Sequence, residues 1–527
     1  MRTQHPEDVI PEGGHVPFDT GSEVADPLLP STPTQPETGT VQTRALSGVL
    51  SLVSREAVIR VMSVVGAVVL AWLLTPVEYG LFGIATFVVS IVALFSELGL
   101  GAAFIRRKEE VTARELNAMF TLQLAFVSVL ALGLFLSAPL IAGLYGIPEV
   151  AWLIRALSVN VILTSLRSVP IVIAERNLNY RPIAMSDIVG QISYWSAAIS
   201  GAVLGLGVWS LVIAVLASAL TGTLVLYART AWRPALELDW RPLKPSLRFG
   251  LMYQTQSVGS FIKDTMIPGL GGSMFGPTVV GYLTWAFQLT TVPMMLSRLV
   301  ARVAYPALGQ LRDDTRAFTA LLESALGWTC RLSLPVFAMV VGLAPQLITY
   351  IFTPKWLPAE TAIYLLTINM VLDIGAGLCV AALYSLGRGG FVVRATLAWA
   401  AVTWGSAAML VGMGAGFEAI AAAYAIGTAL ALPVMVYGLR SLGGILLLRP
   451  TLLPLLVGVV GSVLLYLSRP LVTDIWRLFL ALGLSSLAMW AANLWPERQA
   501  VYHTVRQFLP AGKRRSGPVS GGNGSGN

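Results

Sequence analysis

Two adjacent residues of opposite charge, Lys263 and Asp264, lie inside one of the long apolar stretches of this chain. Ionisable side chains inside a membrane are costly, and they often mark the path of a substrate or an ion. Both residues lie about 15 positions from the inner end of their stretch near Leu247, which places them at or just beyond the membrane midplane. An ammonium at that depth could bind an anionic group. A carboxylate there could take up a proton or a sodium ion.

The same stretch carries a predicted helix break at Pro268 and Gly269. Proline removes a backbone donor, and glycine loosens the next turn. Irregular backbone at membrane depth is tolerated only where protein or a water-filled cavity surrounds it. We therefore expect this segment to line a central cavity. The alternative is a kink that only helps packing, with Lys263 and Asp264 neutralising each other.

Other ionisable residues inside the apolar stretches extend this candidate site. Asp373 lies close to mid-depth and, with Asp264, is a candidate for ion coupling, unless it only bonds to a neighbour such as Asn369. The candidate contacts for an anionic headgroup are Arg60, Arg167, Lys263 and Arg298. Arginines near a helix end also snorkel to the interface, so that alternative stays open for Arg167 and Arg298. The embedded cations outnumber the carboxylates, which favours a phosphate-bearing substrate over an organic cation.

These residues require long helices to hold them in a membrane. The 527 residues are 55% hydrophobic and only 12% charged, whereas soluble proteins have about 25% charged residues. About fourteen apolar stretches are each long enough to cross a ~30 Å hydrocarbon core. The predicted spans are 45–73, 79–100, 117–144, 149–173, 183–205, 208–229, 247–270, 278–302, 322–352, 360–386, 391–412, 417–440, 451–468 and 474–495. The predicted fold class is an all-α polytopic membrane protein.

The apolar pattern is also duplicated. Residues 75–80 resemble residues 276–282, residues 139–149 resemble 345–355, and residues 205–211 resemble 412–418, with offsets of 201, 206 and 207 positions. A steady offset between motifs in membrane segments indicates the internal repeats of a transporter. We predict two six-helix lobes related by a pseudo-twofold axis, plus two carboxyl-terminal helices. The cleft between such lobes suits the movement of a substrate across a membrane.

The charges of the loops predict the topology. Arginine and lysine concentrate in alternate loops, whereas the others carry essentially Lys355 and Arg469. Positive loops stay in the cytoplasm, so both termini are predicted there. The predicted division is a disordered cytoplasmic tail over 1–43, lobes over 44–230 and 247–443, a cytoplasmic linker over 231–246, two extra helices over 444–497 and a basic, then Gly/Ser-rich cytoplasmic tail over 498–527.

The sequence offers little for an enzyme. Three histidines and two cysteines have no metal-binding spacing, and no phosphate-cradling GxxxxGK[ST] loop is present. We therefore expect no metal, no cofactor, no nucleic-acid partner and no ATP hydrolysis by this chain. Transport would then be driven by an ion gradient or by the gradient of the substrate.

Five motifs carry a resemblance to a known family. They are residues 74–81 running on to 97–108, residues 175–181, residues 205–211, Arg248-Phe249-Gly250, and Gly281-Tyr282 continuing to 302–308. From about Arg44 to Trp495 the chain resembles Wzx-type polysaccharide flippases, specifically the WzxC-like branch of the MOP (MATE-like) superfamily. The resemblance implies alternating access in the bacterial inner membrane. It also implies an undecaprenyl-pyrophosphate-linked oligosaccharide as substrate, protons or sodium ions as the coupling ion, and polysaccharide polymerase or assembly proteins as partners.

One departure from the family pattern concerns the candidate site. Relatives usually have Arg/Asn-x-Asp-Asn in the seventh helix, whereas this chain has Lys263-Asp264-Thr265 and then Pro268. The identity of the cavity contacts and any coupling through Asp264 therefore stay open. Two other hypotheses also remain, an exporter of a soluble amphiphile with the same fold and a non-transporting scaffold of a polysaccharide assembly complex.

Overall fold

A computed structural model describes residues 59–60, 62–96, 100–106, 111–239, 243, 258–259, 261–442 and 448–497. This part of the chain is built almost entirely of helices joined by short turns. The predicted tails over 1–43 and 498–527, and the segment 244–257 that includes the start of the second predicted lobe, lie outside the described residues.

Each predicted span overlaps a helix of the described residues, but 278–302 is divided between two helices and the helix of span 322–352 runs from Thr315 to Gly342. The first half contains α1 (Met62–Leu73), α2 (Pro76–Ser96), α3 (Leu100–Arg106), α4 (Ala113–Tyr145), α5 (Glu149–Ser165), α6 (Ser168–Arg176), α7 (Arg181–Val203) and α8 (Val208–Arg229). The second half contains α9 (the helical run 261–275), α10 (Pro277–Thr291), α11 (Met294–Gln310), α12 (Thr315–Gly342), α13 (Glu360–Ser385), α14 (Gly389–Gly412), α15 (Glu418–Gly438), α16 (Leu448–Ser468) and α17 (Ile475–Leu494). Three short helical segments, Ala344–Leu347, Ile348–Phe352 and Pro354–Ala359, join α12 to α13.

Ten helical segments of the described part are long and apolar enough to cross a membrane. They are α2, α4, α5 with α6, α8, and α12 to α17. The chain is therefore an all-α, multi-pass membrane protein. The four other predicted spans correspond to α1, α7, α9 and the pair α10 and α11. Helices α1 and α9 are truncated by residues that the structure does not describe, and α7 carries more polar side chains. The pair α10 and α11 is interrupted near Pro293.

Short local signals begin two of the helices. The backbone N–H of Thr75 donates to Glu78 Oε2 at 2.6 Å, and the N–H of Glu78 donates to Thr75 Oγ1 at 3.3 Å. Thr112 and Glu115 form the same reciprocal pair before α4. Each pair satisfies two backbone donors that a helix start otherwise leaves without a partner. The sequence Thr-x-x-Glu therefore determines where α2 and α4 begin.

The two halves of the chain pack together at the end where α2 and α10 begin. A Cβ atom added at Gly80 would lie 1.7 Å from the carbonyl oxygen of Pro277, and one added at Gly281 would lie 1.8 Å from that of Pro76. Only glycine permits such a close approach of two backbones. The two contacts exchange under the offset of 201 positions, so the copies of this repeated motif face each other across a twofold-related contact. We call this region the closed end.

A tryptophan fills the centre of the closed end. Trp356 is fully buried, and its indole N–H donates to the carbonyl oxygen of Ala71 at 3.0 Å. Its ring stacks on Trp285 with a centroid distance of 4.8 Å and meets Tyr79 edge-on at 5.3 Å. Lys355 Nζ donates to the carbonyl oxygen of Trp72 at 3.0 Å. The segment before α13 therefore fastens the end of α1 to the second half of the chain.

The last two helices are attached through a partly buried arginine. Arg469, in the turn between α16 and α17, donates from Nε to the carbonyl oxygen of Gly342 at 2.7 Å. Its Nη2 donates to the carbonyl oxygen of Val341 at 3.1 Å and to the hydroxyl of Tyr364 at 2.9 Å. These bonds hold the helical pair α16 and α17 against α12 and α13.

Candidate functional site

The centre of the candidate site is α9, whose regular hydrogen bonding changes at Pro268. Residues Ile267–Gly271 form a π-helical turn, and the helix continues from Gly272 to Phe275. Pro268 has no backbone N–H, so the carbonyl oxygen of Asp264 loses its ordinary helical donor four residues later. The hydroxyl of Tyr424 on α15 donates to that oxygen at 3.1 Å instead. The predicted break is thus a π-helical turn supported by a neighbouring helix.

A second side chain supports the same helix from α14. The indole N–H of Trp404 donates to the carbonyl oxygen of Ile262 at 2.8 Å. A Cβ atom added at Gly269 would lie 2.9 Å from the ring of Trp404, so this glycine makes room for the indole. Trp195 and Gly66 make the equivalent contact in the first half of the chain. Trp195 lies 209 positions before Trp404, and Gly66 lies 203 positions before Gly269. Both halves therefore pack a tryptophan on a glycine of their first helix.

Lys263 projects from α9 into a cluster of polar and aromatic groups. Its Nζ lies 2.9 Å from Asp264 Oδ1 and 4.4 Å from the centre of the Trp399 ring. The lysine side chain is 19% exposed and the aspartate side chain 54% exposed. Lys263 lies 12 residues before the last residue of α9, which is about 18 Å from the closed end. The ammonium is therefore held near mid-depth, beside a carboxylate that is open on one side.

Asp373 approaches the same ammonium from α13. Its negative charge acts on Lys263 together with that of Asp264. Asp373 lies 13 residues into α13, which is about 20 Å from the closed end and matches the depth of Lys263. Asn369, one turn earlier, accepts a hydrogen bond of 2.6 Å from Thr428. The structure thus brings Lys263, Asp264 and Asp373 together, and we call these three residues the charge cluster.

Arg60 and Arg298 come from helical segments other than those of the charge cluster. Arg60 is half-buried and precedes α1 by two residues, about 20 Å from the closed end, at a depth close to that of Lys263. Arg298 lies on α11, and its side chain is outside the part that the structure describes.

Arg167 has a local role that the sequence did not reveal. It occupies the junction of α5 and α6, where its Nη2 donates to Asp187 Oδ1 at 2.8 Å and to Ser186 Oγ at 3.0 Å. Ser186 in turn donates to the carbonyl oxygen of Gly222 at 2.7 Å. Arg167 therefore joins α5 and α6 to α7 and α8, and its charge is paired within the first half of the chain. An acidic residue early in the predicted span 183–205 was the available signal for this pair.

Comparison with known proteins identifies the family. A family model described as polysaccharide biosynthesis protein matches residues 69–361. That region contains α2, α9, the closed end and the first two members of the charge cluster. The chain belongs to this polysaccharide biosynthesis family. The resemblance carried by the sequence motifs is thereby confirmed, and the protein is a membrane transport protein of polysaccharide biosynthesis rather than an enzyme.

Several curated relatives align with about half to two thirds of the chain. The succinoglycan biosynthesis transport protein ExoT of Rhizobium meliloti is 25% identical over 344 residues, covering 64% of this chain and 69% of ExoT. The teichuronic acid biosynthesis protein TuaB of Bacillus subtilis is 25% identical over 53% of this chain and 58% of TuaB. The lipopolysaccharide biosynthesis protein WzxC of Escherichia coli is 21% identical over 56% of this chain and 60% of WzxC. Less than two thirds of TuaB and WzxC is therefore matched.

Solved structures establish the fold of this family member. The lipid II flippase MurJ in an inward closed conformation superposes with a TM-score of 0.69 at 15% identity, covering 87% of this chain and 100% of the MurJ chain. An inward-facing multidrug resistance MATE transporter of the MOP superfamily superposes with a TM-score of 0.56 at 18% identity, covering 74% of this chain and 98% of that one. The transporter thus has a MurJ-like and MATE-like fold.

The π-helical turn predicts that the hydroxyl of Tyr424 contributes to the stability of the protein. In Tyr424→Phe the partly buried carbonyl oxygen of Asp264 loses its donor, which costs about 1–3 kcal/mol. For a protein of this size we expect the apparent Tm in detergent to fall by about 1–3 °C. In a Pro268→Ala background residue 268 regains a backbone N–H, so the same tyrosine change should cost less. Tyr466→Phe, which alters an exposed tyrosine of α16, is the control. Equal losses in the two backgrounds would contradict the role assigned to Pro268.

Proposed function

We propose that this transporter is a flippase that moves undecaprenyl-pyrophosphate-linked oligosaccharide units from the inner to the outer leaflet of the bacterial inner membrane. The observation that carries the proposal is the ammonium of Lys263, near mid-depth in a member of a polysaccharide biosynthesis family. A cation at that depth suits a pyrophosphate whose lipid tail stays in the bilayer. The functions of ExoT and MurJ, transport in succinoglycan biosynthesis and lipid II flipping, support the same type of substrate.

The proposed architecture has fourteen spans. Two six-helix lobes cover 44–230 and 247–443, the linker 231–246 joins them, and the pair α16 and α17 completes the chain. Both termini lie in the cytoplasm, so the closed end is the outer end. In the alternating cycle the twofold contact between α2 and α10 opens toward the outside, while the lobes close at the opposite end. The close backbone approach at Gly80 and Gly281 is the contact that this opening would have to separate.

Within the cleft, Arg60, Lys263 and Arg298 are the proposed headgroup contacts. Arg167 has a smaller part in the proposal because Asp187 already pairs its charge. Asp264 is half exposed and lies beside Lys263, so a pyrophosphate can replace it as the partner of the ammonium.

The charge balance of this exchange implies cation uptake. The charge cluster contains one ammonium and two carboxylates, and a pyrophosphate adds further negative charge. Neighbouring negative charges disfavour one another, so Asp264 or Asp373 should take up a proton or a sodium ion when the headgroup binds. Release of that ion on the other side would make the step a co-transport of headgroup and cation out of the cytoplasm. An inward gradient of that ion would oppose such a step, so the gradient of the substrate would have to drive it.

Deletion of the gene, in a host with no second flippase for the same pathway, tests the function directly. Undecaprenyl-linked repeat units on the cytoplasmic face are quantified together with surface polymer. We expect repeat units to accumulate and polymer to disappear, with rescue by the wild type and not by Lys263→Ala. Arg477→Gln, at an exposed ion pair in the first turn of α17, is the matched control and should rescue fully. Normal polymer without accumulation would overturn the flippase proposal and favour an exporter of a soluble amphiphile.

A further inference from the structure

An arginine that plays no part in the proposed cleft lies on the outer surface of the α4 and α5 hairpin. The guanidinium of Arg155 on α5 lies 4.8 Å from the ring centre of Trp152 and 5.3 Å from that of Phe135 on α4. Its Nε donates to the carbonyl oxygen of Phe135 at 3.4 Å. Two aromatic faces therefore fix the guanidinium by cation–π contacts and leave its terminal nitrogens available.

The surroundings of Arg155 face lipid. Trp152 is 62% exposed and Phe135 43% exposed, and the apolar side chains around them are also exposed. Only 22% of the most apolar window of α4 is buried inside the protein. In a membrane protein such an apolar face contacts acyl chains, so the guanidinium lies at the boundary between protein and lipid.

The depth of Arg155 is that of a lipid headgroup. The span formed by α5 and α6 covers Glu149–Arg176, 28 residues. A ~30 Å core centred on this span begins about at residue 152, so Trp152 lies at the boundary and Arg155 about 4–5 Å inside it. Tryptophan prefers that boundary, and arginine reaches from just inside it toward phosphate. On the proposed orientation this boundary is in the outer leaflet.

The charge of Arg155 is not balanced by a described carboxylate. Its contacts in the described part of the chain are the two rings and the carbonyl of Phe135. The two other cations predicted at this side of the membrane already have partners. Lys355 donates to the carbonyl oxygen of Trp72, and Arg469 lies 3.9 Å from Glu360. Charges inside a membrane pair with a partner, and here the accessible partner is an anion from the lipid.

We propose that Arg155, Trp152 and Phe135 bind the phosphate of an anionic glycerophospholipid at the closed end of the transporter. The single guanidinium matches the single charge of a phosphodiester, whereas a pyrophosphate would require further cations that this surface does not offer among its described residues. The exposed rings and the apolar face of α4 match the glycerol region and an acyl chain. This site is separate from the proposed cleft, so its occupancy can be measured without transport.

Native mass spectrometry of the purified full-length protein, titrated with phosphatidylglycerol or phosphatidylcholine, tests the proposal. We expect one phosphatidylglycerol to bind with a Kd about tenfold lower than in Arg155→Gln, because the variant loses a charge-assisted contact. Trp152→Leu keeps the charge but loses a ring face, and should give a smaller loss. Arg477→Gln removes a cation in the first turn of α17 that is already paired with Asp474, and should bind as the wild type does.

Three results would overturn the proposal. The first is equal phosphatidylglycerol affinity in Arg155→Gln and the wild type. The second is equal affinity of the wild type for phosphatidylglycerol and phosphatidylcholine. This comparison needs no variant, so it does not depend on the folding of one. The third is displacement of the bound lipid by one equivalent of undecaprenyl pyrophosphate, which would assign the site to the lipid carrier.

Discussion

Gly281→Ala should abolish polymer export while the protein stays folded in the membrane. The added methyl group would lie 1.8 Å from the carbonyl oxygen of Pro76, a backbone atom that cannot rotate away. Helices α2 and α10 must then separate, so the closed end cannot form. A bias of about 3 kcal/mol against one state lowers its relative population by more than about 100-fold. Surface polymer from a deletion strain carrying the variant, normalised to its membrane level, measures the effect.

The twofold-related contact supplies an internal check. Gly80→Ala places its methyl group 1.7 Å from the carbonyl oxygen of Pro277 and should fail in the same way. Gly133→Ala on α4 is the matched control, since nothing lies within 4 Å of its added Cβ. In the Gly281→Ala background, a cysteine introduced at the fully buried Ala71 should react with a membrane-impermeant maleimide from the outside. Normal polymer from Gly281→Ala at equal protein levels would contradict this account of the closed end.

The closed end shows what a single sequence can and cannot predict. The repeat that joins residues 75–80 to residues 276–282 was visible as an offset in the sequence, and its two copies lie at the starts of α2 and α10. It could not indicate that the two copies contact each other, because an offset carries no information about which faces meet. The full burial of Trp356 was not predicted either, because tryptophans in membrane segments more often lie at the interface.

The spans were predictable in position because each apolar run must cover the hydrocarbon core. The helix-by-helix hydropathy of the described residues supports ten of them, and the others have physical reasons for being weaker. Helix α7 carries Asp187 and Gln191, which bond to other helices rather than to lipid. The pair α10 and α11 separates near Pro293, so neither part reaches a full span alone.

Ion pairs and hydrogen bonds between helices limited how much of the candidate site could be predicted from the sequence. The sequence placed Lys263, Asp264 and Asp373 at one depth, and the structure brings them together. It treated Arg167 as a headgroup contact, although Asp187, 20 residues later, pairs with it across two helices. The donors that support α9, Trp404 and Tyr424, come from helices more than 130 residues away. Depth follows from sequence position, but the direction of a side chain follows from packing.

Lys263→Met should reduce transport at least about 100-fold, and the double variant Lys263→Met/Asp264→Leu should not restore it. The single change removes the proposed headgroup cation and leaves Asp264 and Asp373 without the ammonium that both act on. It should therefore also lower the apparent Tm. The double variant leaves one carboxylate without the ammonium instead of two, so it should regain much of the lost Tm. Polymer export and Tm of the same preparations measure the two effects separately.

Measuring polymer export and Tm separately distinguishes two roles of the charge cluster. If Lys263 and Asp264 only neutralise each other, removing both should restore transport and stability together, and that result would refute a role in binding. If Lys263 binds a pyrophosphate, stability returns in the double variant while transport does not. Arg114→Met, which breaks an ion pair whose arginine is 65% exposed, should change neither quantity and serves as the control. Lys263→Arg keeps a cation but not its position over Trp399, so it should retain the fold and transport more slowly than the wild type.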